Sequence, residues 1–245
     1  MPSRAGLKIT FFITGRKILS ARWSLLFLSG FLSLLAYLWV SDSFFLSFRA
    51  FLFLCPYVFL FSSQDMMKEE IDSGMLENVL FIRGDFRSYL ILKNIMVTAI
   101  AGGLSCVLFL CYALFGLASG QLPDQTLSQF LNGQLAGVYY VVLAGFLSLF
   151  LRAGSNVLLV ILGQVCLLAG LLFSAAQRAS WIGRLTSSSH PGLAAKLEFL
   201  AAAAVFPNLI IGQKSGILIL GLAASATVLV SLQWAYISTL ELRRR

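Results

Sequence analysis

Two stretches of this chain hold residue types that could do chemistry. Gly103-Leu104-Ser105-Cys106 sets a serine inside an apolar run, as a membrane-embedded hydrolase would. A serine nucleophile needs a base within hydrogen-bonding reach, and the only histidine, His190, falls in the polar turn SSSHPG. Helix packing through Gly102, Gly103 and Ser105 explains the stretch more simply. Gly212-Gln213-Lys214-Ser215 echoes a phosphate-binding loop, but the glycine is not next to the lysine as G-x-x-x-x-G-K-[ST] requires. ATP hydrolysis by that route is excluded, so energised work would need a nucleotide site on another subunit.

Cys55, Cys106, Cys111 and Cys166 lie in apolar runs without a CxxC spacing or a nearby histidine. They read as small buried hydrophobes, and no metal site is expected. Proton-coupled transport normally leaves Asp or Glu inside the membrane, and no apolar run has one near its centre.

The remaining concentration of charge is KEEIDSGMLENVL at 68–80. Glu69, Glu70, Asp72 and Glu77 are four of only ten acidic residues, and they fall between two membrane-length runs. Met75, Leu76, Val79 and Leu80 recur at helical spacing, while Glu69, Asp72, Ser73 and Glu77 mark a polar side. The pattern is a short helix with a narrow apolar ridge. Helices that rest on lipid headgroups usually carry Lys and Arg on the polar face. An acidic face suits a protein partner better.

The elements that position this segment follow from composition. The chain has 245 residues, 59% hydrophobic and 11% charged, far below the roughly 25% charge of a soluble domain. We expect an all-α polytopic membrane protein forming a single transmembrane domain over 1–245. The apolar runs place six spans at about 23–40, 44–62, 90–118, 131–151, 156–176 and 215–238. Basic residues spread through the first 22 positions predict an amphipathic amino-terminal helix lying on the membrane. The apolar piece Leu197 to Ile211 is too short to cross and is interrupted by Pro207, which predicts a re-entrant or interfacial helical loop before the sixth span. The linker GQLPDQTLSQ at 120–129 reads as a non-cytoplasmic turn.

With both termini cytoplasmic, thirteen of the eighteen Lys and Arg residues fall on the cytoplasmic side. The net charge of +8 then reflects membrane topology, and no nucleic acid is expected as a partner. Arg49, near the outer end of the second span, and Gln164, at mid-depth in the fifth, are possible pathway-lining residues. Snorkelling of Arg49 and interhelical hydrogen bonding by Gln164 are the competing explanations.

The 69–93 stretch resembles the permease subunits of type-2 ABC exporters. These carry E-x-E-x-G-T-L-E-x-L-L between their second and third spans, then a proline, then a lysine at the start of the third span. Here Glu70 and Asp72 precede Gly74, Leu76, Glu77 and Leu80 fall in step, and Lys93 resembles the family lysine; Met75 replaces the usual threonine and Arg83 the proline. The resemblance implies a cytoplasmic coupling helix, with Glu69, Glu70, Asp72, Gly74, Leu76, Glu77, Leu80 and Lys93 as ATPase-coupling residues. It implies docking on cytoplasmic ABC ATPase subunits that hold ATP and magnesium, with no cofactor in this chain itself. It also implies pairing with a second permease copy or a paralogue in the bacterial inner membrane, in contact with membrane lipid. The membrane subunit of the haem exporter of cytochrome c maturation shares the size and a similar G-x-L-E segment, and a non-transporting membrane anchor for a cytoplasmic protein is the reading from another class.

Overall fold

The computed structural model of the chain describes residues 15–16, 22–41, 43–64, 67–72, 74, 86–121, 125–152, 154–176, 200–211 and 216–244. Among them there is no strand. The helices are α1 (Arg22–Ser41), α2 (Phe44–Ser62), α3 (Lys68–Asp72), α4 (Phe86–Ala118), α5 (Thr126–Leu147), α6 (Ser155–Ala176) and α7 (Gly216–Arg244). Residues 200–205 are also helical, and Pro207–Ile210 forms a 3-10 turn. Among the described residues, Phe44–Ser62, Tyr89–Ala118, Thr126–Leu147 and Ile219–Thr239 are long and apolar enough to cross a membrane. Leu25–Ser41 and Ser155–Gly170 are shorter apolar helices. Apart from Gly15 and Arg16, the expected amino-terminal helix lies outside the described residues, as does 177–199.

Helix starts and stops follow local chemistry. Ser43 caps α2 by accepting a hydrogen bond from the Leu46 amide at 3.2 Å, satisfying one of the orphan donors of a helix start. At the other end the Ser63 hydroxyl donates to the carbonyls of Phe59 and Leu60, both at 2.9 Å, so two last-turn acceptors are satisfied. The fourth span differs from its expected bounds. The expected span was about 131–151, whereas α5 runs Thr126–Leu147 and so begins inside the supposed linker. Thr126 and Phe130 are buried, so packing of this turn against the bundle outweighs its polar composition.

Helix α2 sits at the centre, packed against α1, α4 and α5. Its core is aromatic: Phe51 stacks on Tyr112 with centroids 5.1 Å apart, and Phe109 of α4 stacks on Phe130 of α5 at 3.9 Å. Helices α2 and α5 meet where Gly137 faces Phe59. A Cβ at Gly137 would come within 2.7 Å of Phe59 Cε2, so only a glycine permits this approach.

Polar side chains hold the bundle at its interfaces. Ser47 donates to the Leu35 carbonyl at 2.9 Å and shares a hydrogen bond with Tyr112 at 2.7 Å, joining α1, α2 and α4. Gln233 of α7 is fully buried; it donates to the Val142 carbonyl at 2.7 Å and accepts from Asn94 at 3.3 Å. Ser105 accepts from Gln134 at 2.8 Å and donates to the Gly102 carbonyl at 2.9 Å. The Gly-x-Ser stretch therefore contributes a contact between α4 and α5.

The segment 200–211 breaks its helix at Phe206 (φ −128°, ψ 77°), and Pro207 starts the 3-10 turn. Its carbonyls find partners on two helices, α5 and α6. Tyr139 donates to Ala204 O at 3.0 Å, Gln164 to Val205 O at 3.4 Å, and Asn132 to Ile210 O and Ile211 O at 3.3 and 3.4 Å. In return Asn208 donates to the Phe53 carbonyl at 2.6 Å, one turn before Pro56, which lies inside the continuous helix α2. At 1.5 Å per residue, Tyr139 stands about 20 Å along α5 from Thr126 and Asn132 about 9 Å. The segment therefore reaches the middle of α5 near Val205 and returns toward its amino-terminal end by Ile211. Irregular backbone buried in a bundle persists only where protein groups satisfy it.

The cysteines correct one expectation. Cys55 is buried, whereas Cys106, Cys111 and Cys166 are on exposed helix faces. In a bilayer both the bundle interior and the lipid are apolar, so an apolar residue type does not tell an inward position from an outward one.

Candidate functional site: an acidic segment clamped to the third long helix

The chain leaves α2 at Ser62, turns through the buried Ser63 and Gln64, and enters the one-and-a-half-turn helix α3. Met67, Glu70 and Ile71, at spacings of three and four, face the bundle: Met67 is fully buried, Glu70 is 7% exposed and Ile71 packs against the core. Asp72 points to solvent. The Gly74 amide donates to the Ile71 carbonyl at 3.3 Å and Gly74 adopts φ +71°. This left-handed stop is what glycine supplies at low cost after a helix.

Glu70 is the acidic residue that the structure ties down. Its carboxylate Oε1 forms an ion pair with Lys93 Nζ, and its Oε2 accepts from the Tyr89 hydroxyl at 3.1 Å. Lys93 Nζ also stands 5.7 Å from the centre of the Tyr89 ring. Lys93 is 3% exposed and Tyr89 8%. A buried charge is tolerated only when it is paired and hydrogen-bonded. Here both conditions hold, and the pair fastens α3 to the first turns of α4.

Of the residues expected to face a partner, Glu70 and Lys93 thus meet each other inside the chain. Glu70, one of the coupling residues that the resemblance implies, faces inward, because Met67 and Ile71, three residues before and one after it, share the buried side of this turn. Asp72 is exposed and Gly74 terminates the helix. Glu69 belongs to α3, but its side chain lies outside the described residues, as do Leu76, Glu77 and Leu80 altogether. Tyr89 and Met67 were missed in the sequence. Tyr89 precedes Lys93 by four residues, so the helical repeat places both on one face of α4.

The two possible pathway residues lie apart from this cluster. Gln164 is 3% exposed; it accepts from Tyr57 at 2.7 Å and donates to Tyr140 at 2.8 Å, joining α6 to α2 and α5. Its carboxamide is occupied by protein groups on both ends. Arg49 is on the exposed face of α2, with its guanidinium carbon 4.3 Å from the centre of the Phe45 ring.

These features define a helical protein with the character of a membrane protein, in which an acidic interhelical segment is locked to a long apolar helix by a buried ion pair. No protein-family model, no curated protein and no solved structure matches the chain.

Proposed function

We propose that the chain is the transmembrane permease subunit of an ATP-driven exporter, with six spans, both termini cytoplasmic, and the segment that begins at α3 as its coupling helix. The observation that carries this reading is the Glu70–Lys93–Tyr89 clamp. A loose loop would absorb the displacement of a docked ATPase. A segment fastened through a buried ion pair moves with α4, so partner closure can tilt a membrane-length helix. The exposed Asp72 and the acidic Glu69 and Glu77 would steer and orient the ATPase, while Leu76 and Leu80 supply apolar contact. Energy comes from ATP and magnesium on the partner, and two permeases enclose the route.

Purification of the chain from native membranes under mild detergent tests this. The expected preparation contains a P-loop ATPase whose ATP hydrolysis changes on reconstitution with the permease. The separated chain should not hydrolyse ATP. Nucleotide hydrolysis by the chain alone would contradict the assignment.

A further inference from the structure

Most of α2 is buried, and the exposed side chains of its first ten residues include Phe45, Leu46, Arg49 and Phe53. Phe45, Arg49, Phe53 and Tyr57 follow one another at intervals of four, so they form a stripe down one side of the helix. Phe45 is 40% and Phe53 45% exposed, while Phe44, Phe48, Phe51 and Phe59 on the other sides are buried. Phe206 of the re-entrant segment meets Phe53 edge-on, with centroids 5.7 Å apart, and Tyr57 lies 6.5 Å below Phe53. The stripe is therefore a flat apolar strip carrying one cation.

That cation has a defined height. Helix α1 ends at Ser41 and α2 begins at Phe44, so a bilayer crossed by α2 has one surface at this junction. The Arg49 backbone stands about 8 Å below the start of α2, and its long side chain reaches back toward Phe45. Arginine snorkels in this way to the level of the headgroups. Among the described residues no carboxylate pairs with it; the Phe45 ring covers one face of the guanidinium. The N–H donors still require acceptors, and phosphate oxygens of the adjacent leaflet are at that height.

From this geometry we propose that the stripe is a binding site for an anionic phospholipid of the bilayer. Arg49 holds the phosphate through its planar donor fork, Phe45 orients the guanidinium, and an acyl chain lies along the exposed Phe53, which the buried Phe206 backs. A zwitterionic lipid is disfavoured because its own cation competes for the phosphate and faces Arg49. The site is independent of the exporter assignment.

Local fluorescence quenching tests it. Trp23, Trp39, Trp181 and Trp234 are replaced by phenylalanine, and a single reporter is introduced by Phe53→Trp. The protein is reconstituted into phosphatidylcholine vesicles containing a minor fraction of dibrominated phosphatidylglycerol or, in parallel, dibrominated phosphatidylcholine. The expected result is several-fold stronger quenching by the brominated phosphatidylglycerol, lost on adding Arg49→Gln and partly kept with Arg49→Lys, whose point charge lacks the fork. Quenching by brominated phosphatidylcholine should stay constant across the three proteins, which shows that each is inserted. Equal quenching by the two lipids in the arginine protein overturns the proposal, and so does selectivity that survives Arg49→Gln. If the glutamine variant does not insert, the comparison of the two lipids on the arginine and lysine proteins still decides.

Discussion

Replacing Glu70 by glutamine leaves Lys93 as a cation in a site only 3% exposed. Breaking one side of a buried pair typically costs about 3–5 kcal/mol, whereas replacing both partners by apolar groups is often near neutral. Glu70→Gln, Glu70→Leu and Lys93→Met should therefore each lower the unfolding midpoint of the detergent-solubilised chain sharply. The double variant Glu70→Leu/Lys93→Met should recover most of the loss. Additive losses in this cycle would show that the two side chains do not act as a pair. The acidic cluster, Gly74 and Lys93 were legible in the sequence because charge is scarce in so apolar a chain. The inward turn of Glu70 was not, because a five-residue helix is too short for its own pattern to show which side packs. Met67 and Ile71 decide that, and their burial depends on where α4 lies.

Among the elements, the apolar runs located α1, α2 and α6 to within a residue or two, since a run bounded by Ser, Asp, Arg or Gly leaves little freedom. Boundaries failed where polar residues are buried. Thr126 opens α5 within a stretch of turn-forming composition, and α4 begins at Phe86, earlier than its apolar run, with Lys93 enclosed in its first turns. The break in the 200–211 segment was readable from Pro207, but its attachments were not. They depend on Asn132, Tyr139, Gln164 and Asn208, polar residues scattered over the sequence that converge only in the bundle. Interhelical hydrogen bonds in membranes are worth about 0.6 kcal/mol on average and up to about 1.7. Asn208→Leu removes the bond to the Phe53 carbonyl near Pro56 of α2. We expect a loss within that range and, from amide hydrogen exchange, faster exchange confined to 200–211 and the middle of α2. Uniform loss of protection across the bundle would mean that the segment is not held as a separate unit.

For the whole molecule, the proposed six-span export permease makes a topological prediction: the 177–214 loop is on the non-cytoplasmic side. In a variant with Ser188→Cys and the four native cysteines replaced, a membrane-impermeant thiol reagent should label intact spheroplasts. Labelling only after the cells are opened would contradict the orientation. Composition and hydropathy made membrane character readable from the start, because 11% charge cannot surround a soluble domain of this size. Function is a different matter, since the proposed role rests on a short segment that acts through another chain, and fold alone does not specify function.

The most direct test of the coupling assignment is Leu80→Asp. A carboxylate placed on the apolar ridge would have to be desolvated on docking, at a cost of several kcal/mol. The measurement is ATPase retained in membranes together with transport, both scored at equal permease abundance. The account expects normal membrane insertion with both recruitment and transport reduced at least tenfold, which corresponds to about 1.4 kcal/mol or more of lost docking energy. Normal recruitment and normal transport in Leu80→Asp would contradict it and leave the acidic segment as a helix resting on lipid headgroups.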